Sequence, residues 1–87
     1  METRLNDRKL LEIETELLAF AKESILAKGI NIQADTVLKD IGIDSYSVIE
    51  MVLFIERKFG VVLPESMLIP DNLKSINALS KATLQMI

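Results

Sequence analysis

Two runs of apolar residues spaced three and four apart, each ended by a glycine, restrict this chain to helices packed on helices. Between Asp7 and Lys28 the run is Leu10, Ile13, Leu17, Phe20, Ala21 and Ile25, which places all six on one helical stripe. Asn6 or Asp7 is suited to cap the start, and Glu12, Glu14 and Glu16 follow in the early turns, where the helix dipole favours acids. Gly29 can take the left-handed conformation that stops a helix. The second run, Asp44 to Phe59, carries Val48, Met51, Val52, Ile55 and Phe59, with Asp44 as N-cap, Arg57 and Lys58 in the last turn and Gly60 as stop. Ile49, Leu53 and Phe54 fall outside that stripe. A helix apolar over so much of its girth is either enclosed or shows a patch to a partner.

The intervening segment, Ile30 to Ile43, has no sustained period, yet Ile32, Val37, Leu38, Ile41 and Ile43 are too apolar for a free linker. It reads as an ordered loop laid over the core, and loops of that length in small domains commonly carry function. Val61-Val62-Leu63 is extended or loop, and as a strand it would have no second β-run to pair with. A short helix is expected from Glu65 to about Ile69, opened by Pro64 and ended by Pro70. Ser75 then caps a last helix with Ile76, Leu79, Thr83 and Met86 on one face. With 87 residues, the whole of 1–87 is expected to form a single domain whose first few residues are disordered. Met51, Met67 and Met86 are expected to fill the core.

The composition excludes several functions. There is no histidine and no cysteine, which rules out a Ser-His-Asp triad, a conventional zinc hydrolase and a disulfide framework. Aromatics are 5% with no tryptophan, and the net charge is −3, a poor composition for gripping nucleic-acid backbones or stacking bases. No apolar run approaches a membrane span, and neither a signal peptide nor a lipidation motif is visible. The expectation is a cytoplasmic, monomeric, non-catalytic protein with no metal site.

One serine stands apart. Ser45 follows Gly42-Ile43-Asp44 and opens the most apolar helix, where backbone N–H groups and the dipole favour an anion such as a phosphoester. The plainer explanation is that Asp44-Ser45 is ordinary capping chemistry, and spacing alone favours that explanation.

The segment Leu38-Lys39-Asp40-Ile41-Gly42-Ile43-Asp44-Ser45-Tyr46-Ser47-Val48-Ile49-Glu50 resembles the phosphopantetheine-attachment signature of acyl and peptidyl carrier proteins. The likeness runs on through Glu50-Met51-Val52, Ile55 to Gly60 and Leu63-Pro64, and Asn72 to Leu79 resembles the family's entry into its final helix. In all it spans about Leu10 to Met86. The resemblance implies an all-α, four-helix acyl-carrier-like bundle, with a long loop between helices 1 and 2 and a short third helix. Ser45 would accept 4′-phosphopantetheine from coenzyme A through a separate phosphopantetheinyl transferase, and the arm would hold acyl or aminoacyl groups as thioesters. Asp44 would cap the helix and help engage the transferase. Glu50 and Glu56 match positions where the family presents acids to basic partners, and Tyr46, Ile49 and Leu53 would supply the apolar part of the docking face. The implied partners are the transferase, an acyl- or aminoacyl-loading ligase or adenylation enzyme, and downstream synthase or tailoring enzymes.

The chain departs from the fatty-acid carriers in having Tyr46 and Ser47 after the serine and Arg57-Lys58 at the helix end. This favours a stand-alone carrier in a secondary-metabolite, nonribosomal peptide or polyketide pathway over one in fatty-acid synthesis. The alternatives are an unmodified helical adaptor docking through Ile49, Leu53 and Phe54, and a carrier-like subunit that regulates a synthase.

Overall fold

A computed structural model describes residues 2–25 and 29–87, with side chains from Asp7 onward. The chain forms α1 (Glu2–Ser24), a 3-10 turn (Leu38–Ile41), α2 (Ser45–Phe59), a second 3-10 turn (Glu65–Met67), α3 (Pro70–Leu73) and α4 (Ile76–Leu84). No strand occurs among the described residues. The architecture is therefore the expected all-α bundle with a long first loop.

The expected stripes build the core. Ile13, Leu17 and Ala21 of α1, Val48, Met51, Val52 and Ile55 of α2, and Ile76 and Leu79 of α4 are buried together. Leu18, Phe20, Phe54, Phe59 and Leu73 pack partly buried against them. Phe20 and Phe54 stack with ring centroids 4.4 Å apart, joining α1 to α2.

Three local expectations are corrected. First, α1 begins at Glu2, so Asn6 and Asp7 lie inside the helix rather than capping it. The neighbouring Arg4, Leu5, Arg8 and Lys9 are strong helix formers, and a cap-type residue does not halt a helix that its neighbours continue. Glu12, Glu14 and Glu16 are consequently beyond the first turn, where the dipole no longer acts. Glu12 pairs with Lys9 at 3.3 Å, and Glu16 with Lys58 of α2 at 3.5 Å. The expected end at Lys28 lies outside the described residues, as does Met1 of the segment expected to be disordered. Second, the third helix is displaced. Glu65–Met67 is only a 3-10 turn, and Pro70 opens α3 instead of ending a helix. Proline suits a first helical position because its missing N–H would have no partner there. Third, Met86 lies past the end of α4 and is exposed. Met51 is fully buried as expected.

Long-range hydrogen bonds hold the first loop in place. The Asn77 N–H donates to the Ala34 carbonyl at 2.7 Å, and the Leu38 N–H donates to the Lys74 carbonyl at 2.9 Å. Asn77 also donates from Nδ2 to Glu14 Oε2 at 2.6 Å, so one residue at the start of α4 ties both the loop and α1. Ile32, Leu38 and Ile43 anchor the loop in the core.

One core group is uncompensated. Ser80 on α4 is fully buried, and its Oγ has no hydrogen-bond partner among the described residues. A buried hydroxyl without a partner forfeits its hydration, and alanine is the better helix former. Ser80→Ala is expected to stabilise the domain by about 1 kcal/mol, raising the melting temperature by several degrees. Thr83→Ala should do the opposite, because Thr83 Oγ1 donates to the Leu79 carbonyl at 2.8 Å. Thermal melts of the two variants against the native chain check the pair, and no rise for Ser80→Ala would mean that its hydroxyl is satisfied.

Candidate functional site

The loop reaches α2 through a sequence of local constraints. The Leu38–Ile41 turn ends at Gly42, whose φ of +83° lies in the left-handed region and whose N–H closes onto the Leu38 and Lys39 carbonyls. A side chain at that φ is strained, so glycine is what lets the chain reverse here. Ile43 is buried and its N–H donates to the Leu38 carbonyl at 3.1 Å. Asp44 then takes an extended conformation, and its Oδ1 accepts the Ser47 N–H at 2.9 Å. Its carbonyl accepts the Val48 N–H at 3.1 Å. The N-cap expected of Asp44 is thus in place, and Ser45 is the first residue of α2, exposed to solvent.

The capping bond also fixes the charge state of Asp44. The Ser47 backbone N–H, with a smaller contribution from the Ser47 side chain, holds the Asp44 carboxyl below its ordinary value of 3.8. Because the folded value lies below the unfolded one, the cap's contribution is fully present above pH 3.8 and is lost as pH falls through the folded value. In a pH series of thermal melts, Asp44→Asn, which keeps an acceptor but does not titrate, should show a shallower acid limb than the native chain. Asp44→Ala should melt lower than the native chain at neutral pH and lose that difference in acid. Parallel curves for all three would remove Asp44 from the cap.

Two open grooves flank the exposed ridge of α2. One, of about 600 Å³, has Ser45 and Asp44 on its wall with Val48 and Ile49, and faces Ile43, Leu68, Pro70 and Leu73 across the gap. The other, of about 520 Å³, lies between α1 and α2 and contains Tyr46, Glu50, Leu53 and Arg57 around the Phe20–Phe54 stack. The structure therefore divides the residues expected to meet partners. Ile49 borders the Ser45 groove, and Tyr46, Glu50 and Leu53 border the other. Tyr46 is 75% exposed, Leu53 47% and Ile49 44%, large apolar exposures for one helix of a small domain. Glu56 is apart from both grooves: its Oε2 accepts the Leu63 N–H at 2.8 Å, pinning the extended segment after α2.

Sequence reading did not find the opposite wall of the Ser45 groove. Lys39 and Lys74 both line it, and they are brought there by the Leu38–Lys74 backbone bond, which has no local sequence signature.

Ser45 opens α2 on the groove wall. Its hydroxyl is accessible, and the start of a 15-residue helix favours a phosphoester there. The adjacent carboxylate is already engaged by Ser47, and the chain has no histidine, so among the described residues no base is placed to activate Ser45 as a nucleophile. The site is thus an accessible hydroxyl at a helix start on the wall of an open groove. No helix of the described residues is long and apolar enough to cross a membrane.

Comparison with known proteins finds a matching family and several relatives. The family described as phosphopantetheine attachment site matches residues 16–83. Aminoacyl carrier protein 2 of Bradyrhizobium diazoefficiens is 24% identical over 76 residues, 85% of either chain. The acyl carrier protein of Helicobacter pylori is 35% identical over 49 residues, covering 49% of this chain and 63% of that one. A chain in the crystal structure of Bradyrhizobium japonicum glycine:[carrier protein] ligase complexed with glycylated carrier protein shares the fold. It has a TM-score of 0.61 at 22% identity, covering 90% of this chain and 97% of that one.

Proposed function

Because this chain belongs to the phosphopantetheine-attachment family of acyl and peptidyl carrier proteins, we propose that it is a carrier whose attachment residue is Ser45. The observation that carries this assignment is the position of Ser45. It is exposed at the first turn of α2, behind the Asp44 cap and the left-handed Gly42 turn, on the wall of an open groove. The family's 4′-phosphopantetheine arm supplies a terminal thiol that holds acyl or aminoacyl groups as thioesters. The chain's own residues present the hydroxyl, stabilise the negative charge placed on it, and offer surfaces to the enzymes that visit. The chain's lack of cysteine leaves no protein thiol to compete for the cargo.

The docking role falls to the ridge of α2. Ile49 presents apolar area on the Ser45 groove and Tyr46 and Leu53 on the other, and Glu50 adds a carboxylate for basic partner surfaces. Asp44 stands next to the attachment oxygen, where a transferase must bind. Contacts of this mixed kind speed encounter more than they tighten the complex, which suits a carrier passed between enzymes. Arg57, exposed at the end of α2, and Lys58 reverse the acidic pattern of the fatty-acid carriers. Together with the likeness to an aminoacyl carrier protein over 85% of either chain, this supports a specialised pathway outside fatty-acid synthesis. The partners proposed are a phosphopantetheinyl transferase, a loading ligase or adenylation enzyme, and the enzymes that consume the loaded group.

Intact mass spectrometry after incubation with coenzyme A and a broad-specificity transferase tests the assignment. A gain of one phosphopantetheinyl group is expected. A folded chain that never gains it, but binds a synthase component tightly, would favour the unmodified adaptor.

A further inference from the structure

The groove beside Ser45 contains two cations to which the carrier reading gives no task. Lys39 and Lys74 line it among otherwise apolar walls formed by Ile43, Val48, Ile49, Leu68 and Leu73. They come from distant parts of the sequence, and the Leu38 N–H to Lys74 carbonyl bond of 2.9 Å sets their segments side by side. Both are exposed. Neither takes part in an ion pair among the described residues, where the bridges are Lys9–Glu12 and Lys58–Glu16. The one carboxylate on the groove wall, Asp44, is engaged by the Ser47 N–H.

An apolar trough with an uncompensated pair of like charges is matched by a ligand with an apolar body and an anionic end. The anion nearest to hand, a phosphoester on Ser45, is already served by the start of α2. That leaves the lysines for a second anion farther along whatever Ser45 bears. We propose that Lys39 and Lys74 are specificity-determining residues that read a free carboxylate on the tethered group, so that this chain prefers acyl cargo ending in a carboxylate. A monothioester of a dicarboxylic acid fits this description. A simple aminoacyl group, whose free end is an ammonium, is disfavoured by the same pair. The inference rests on the Ser45 carrier assignment and narrows its cargo.

Three coenzyme A thioesters of matched length test it: adipoyl, its monomethyl ester and hexanoyl, each transferred with its arm onto the native chain, onto Lys39→Gln/Lys74→Gln and onto Lys39→Arg/Lys74→Arg. The readouts are backbone amide shifts at Leu38, Val48 and Lys74, the phosphorus shift of the arm, and the hydrolysis half-life of the thioester. At low salt the adipoyl form of the native chain is expected to perturb those amides and to outlast the ester and hexanoyl forms about fivefold, the upper range for an exposed ion pair. The difference should vanish in the glutamine pair, persist in the arginine pair and shrink in high salt. Equal shifts and half-lives for all three cargoes on a loaded native chain would overturn the inference and leave the carrier assignment intact. A phosphorus shift that moves with the glutamine pair whatever the cargo would also overturn it, because the lysines would then be holding the arm's phosphate. Failure of Ser45 to accept any arm would overturn the carrier assignment, and this inference with it.

Discussion

A Ser45→Ala chain is expected to remain folded and to gain no mass from coenzyme A and a transferase, whereas Ser47→Ala should gain one arm as the native chain does. The loss at Ser45 is expected to be complete, since a phosphoester needs that one oxygen and no neighbour can replace it. Ser47 is the obvious decoy, only two positions along. Two residues turn a helix by about 200°, which carries Ser47 away from the groove that Ser45 borders. Its main contribution is made through its backbone N–H, donated to Asp44 Oδ1 at 2.9 Å, and an alanine keeps that N–H while losing only the smaller side-chain contribution. Ser80 is sealed in the core and inaccessible to a transferase. Ser45 itself is exposed, so its truncation should change stability by no more than about 0.5 kcal/mol. A melt matching the native one would exclude misfolding as the cause. If Ser45→Ala still gained the arm and Ser47→Ala did not, the attachment residue would have to be reassigned.

The parts of the site that could be read from sequence are those whose causes are local. Asp44 accepts from a residue three positions on, and Gly60 ends α2 with φ +66° and its N–H on the Glu56 carbonyl. Both follow from residue type and spacing. The buried stripe Val48, Met51, Val52 and Ile55 follows from helical period alone. The start of α1 differs from the expected one because capping preferences describe where a helix can begin, and Asn6 and Asp7 also tolerate a helix interior. Pro70 acts as the first residue of α3 and not as a stop. Proline permits either role, and the preceding Ile69, extended at φ −105° and ψ 157°, decides between them. The opposite wall of the Ser45 groove has no local signature in the sequence. Lys39 faces the same space as Lys74 because Leu38 bonds to Lys74 and Asn77 bonds to Ala34, pairings set by the tertiary fold. The split of Tyr46 and Ile49 between two grooves was hidden for the same reason, since it depends on where α1 and α3 lie against α2.

The same helix that presents Ser45 on one side holds the core on the other, and that coupling gives the second large effect. Ile55 is fully buried in the central cluster. Ile55→Ala removes three carbon atoms from a packed site and is expected to cost about 2–5 kcal/mol. At about 0.05–0.15 kcal/mol per residue, a chain of 87 residues has a total stability of only roughly 4–13 kcal/mol. The substitution therefore removes a large part of that margin and, at the lower end of the range, leaves a substantial unfolded fraction near 37 °C. Ile55→Val, which leaves a smaller gap, should cost about 0.5–1.5 kcal/mol and stay folded. Urea denaturation of the two variants measures these losses directly. Arm attachment should follow them: Ile55→Val should load as the native chain does, and Ile55→Ala should load more slowly as temperature rises, in step with its folded fraction. Leu53→Ala, two positions away but 47% exposed in the native chain, should shift the urea midpoint little and act instead on docking. If Ile55→Ala loaded at the native rate while unfolded, the transferase would be recognising the Asp44-Ser45 segment as a linear motif, without need of the α2 platform.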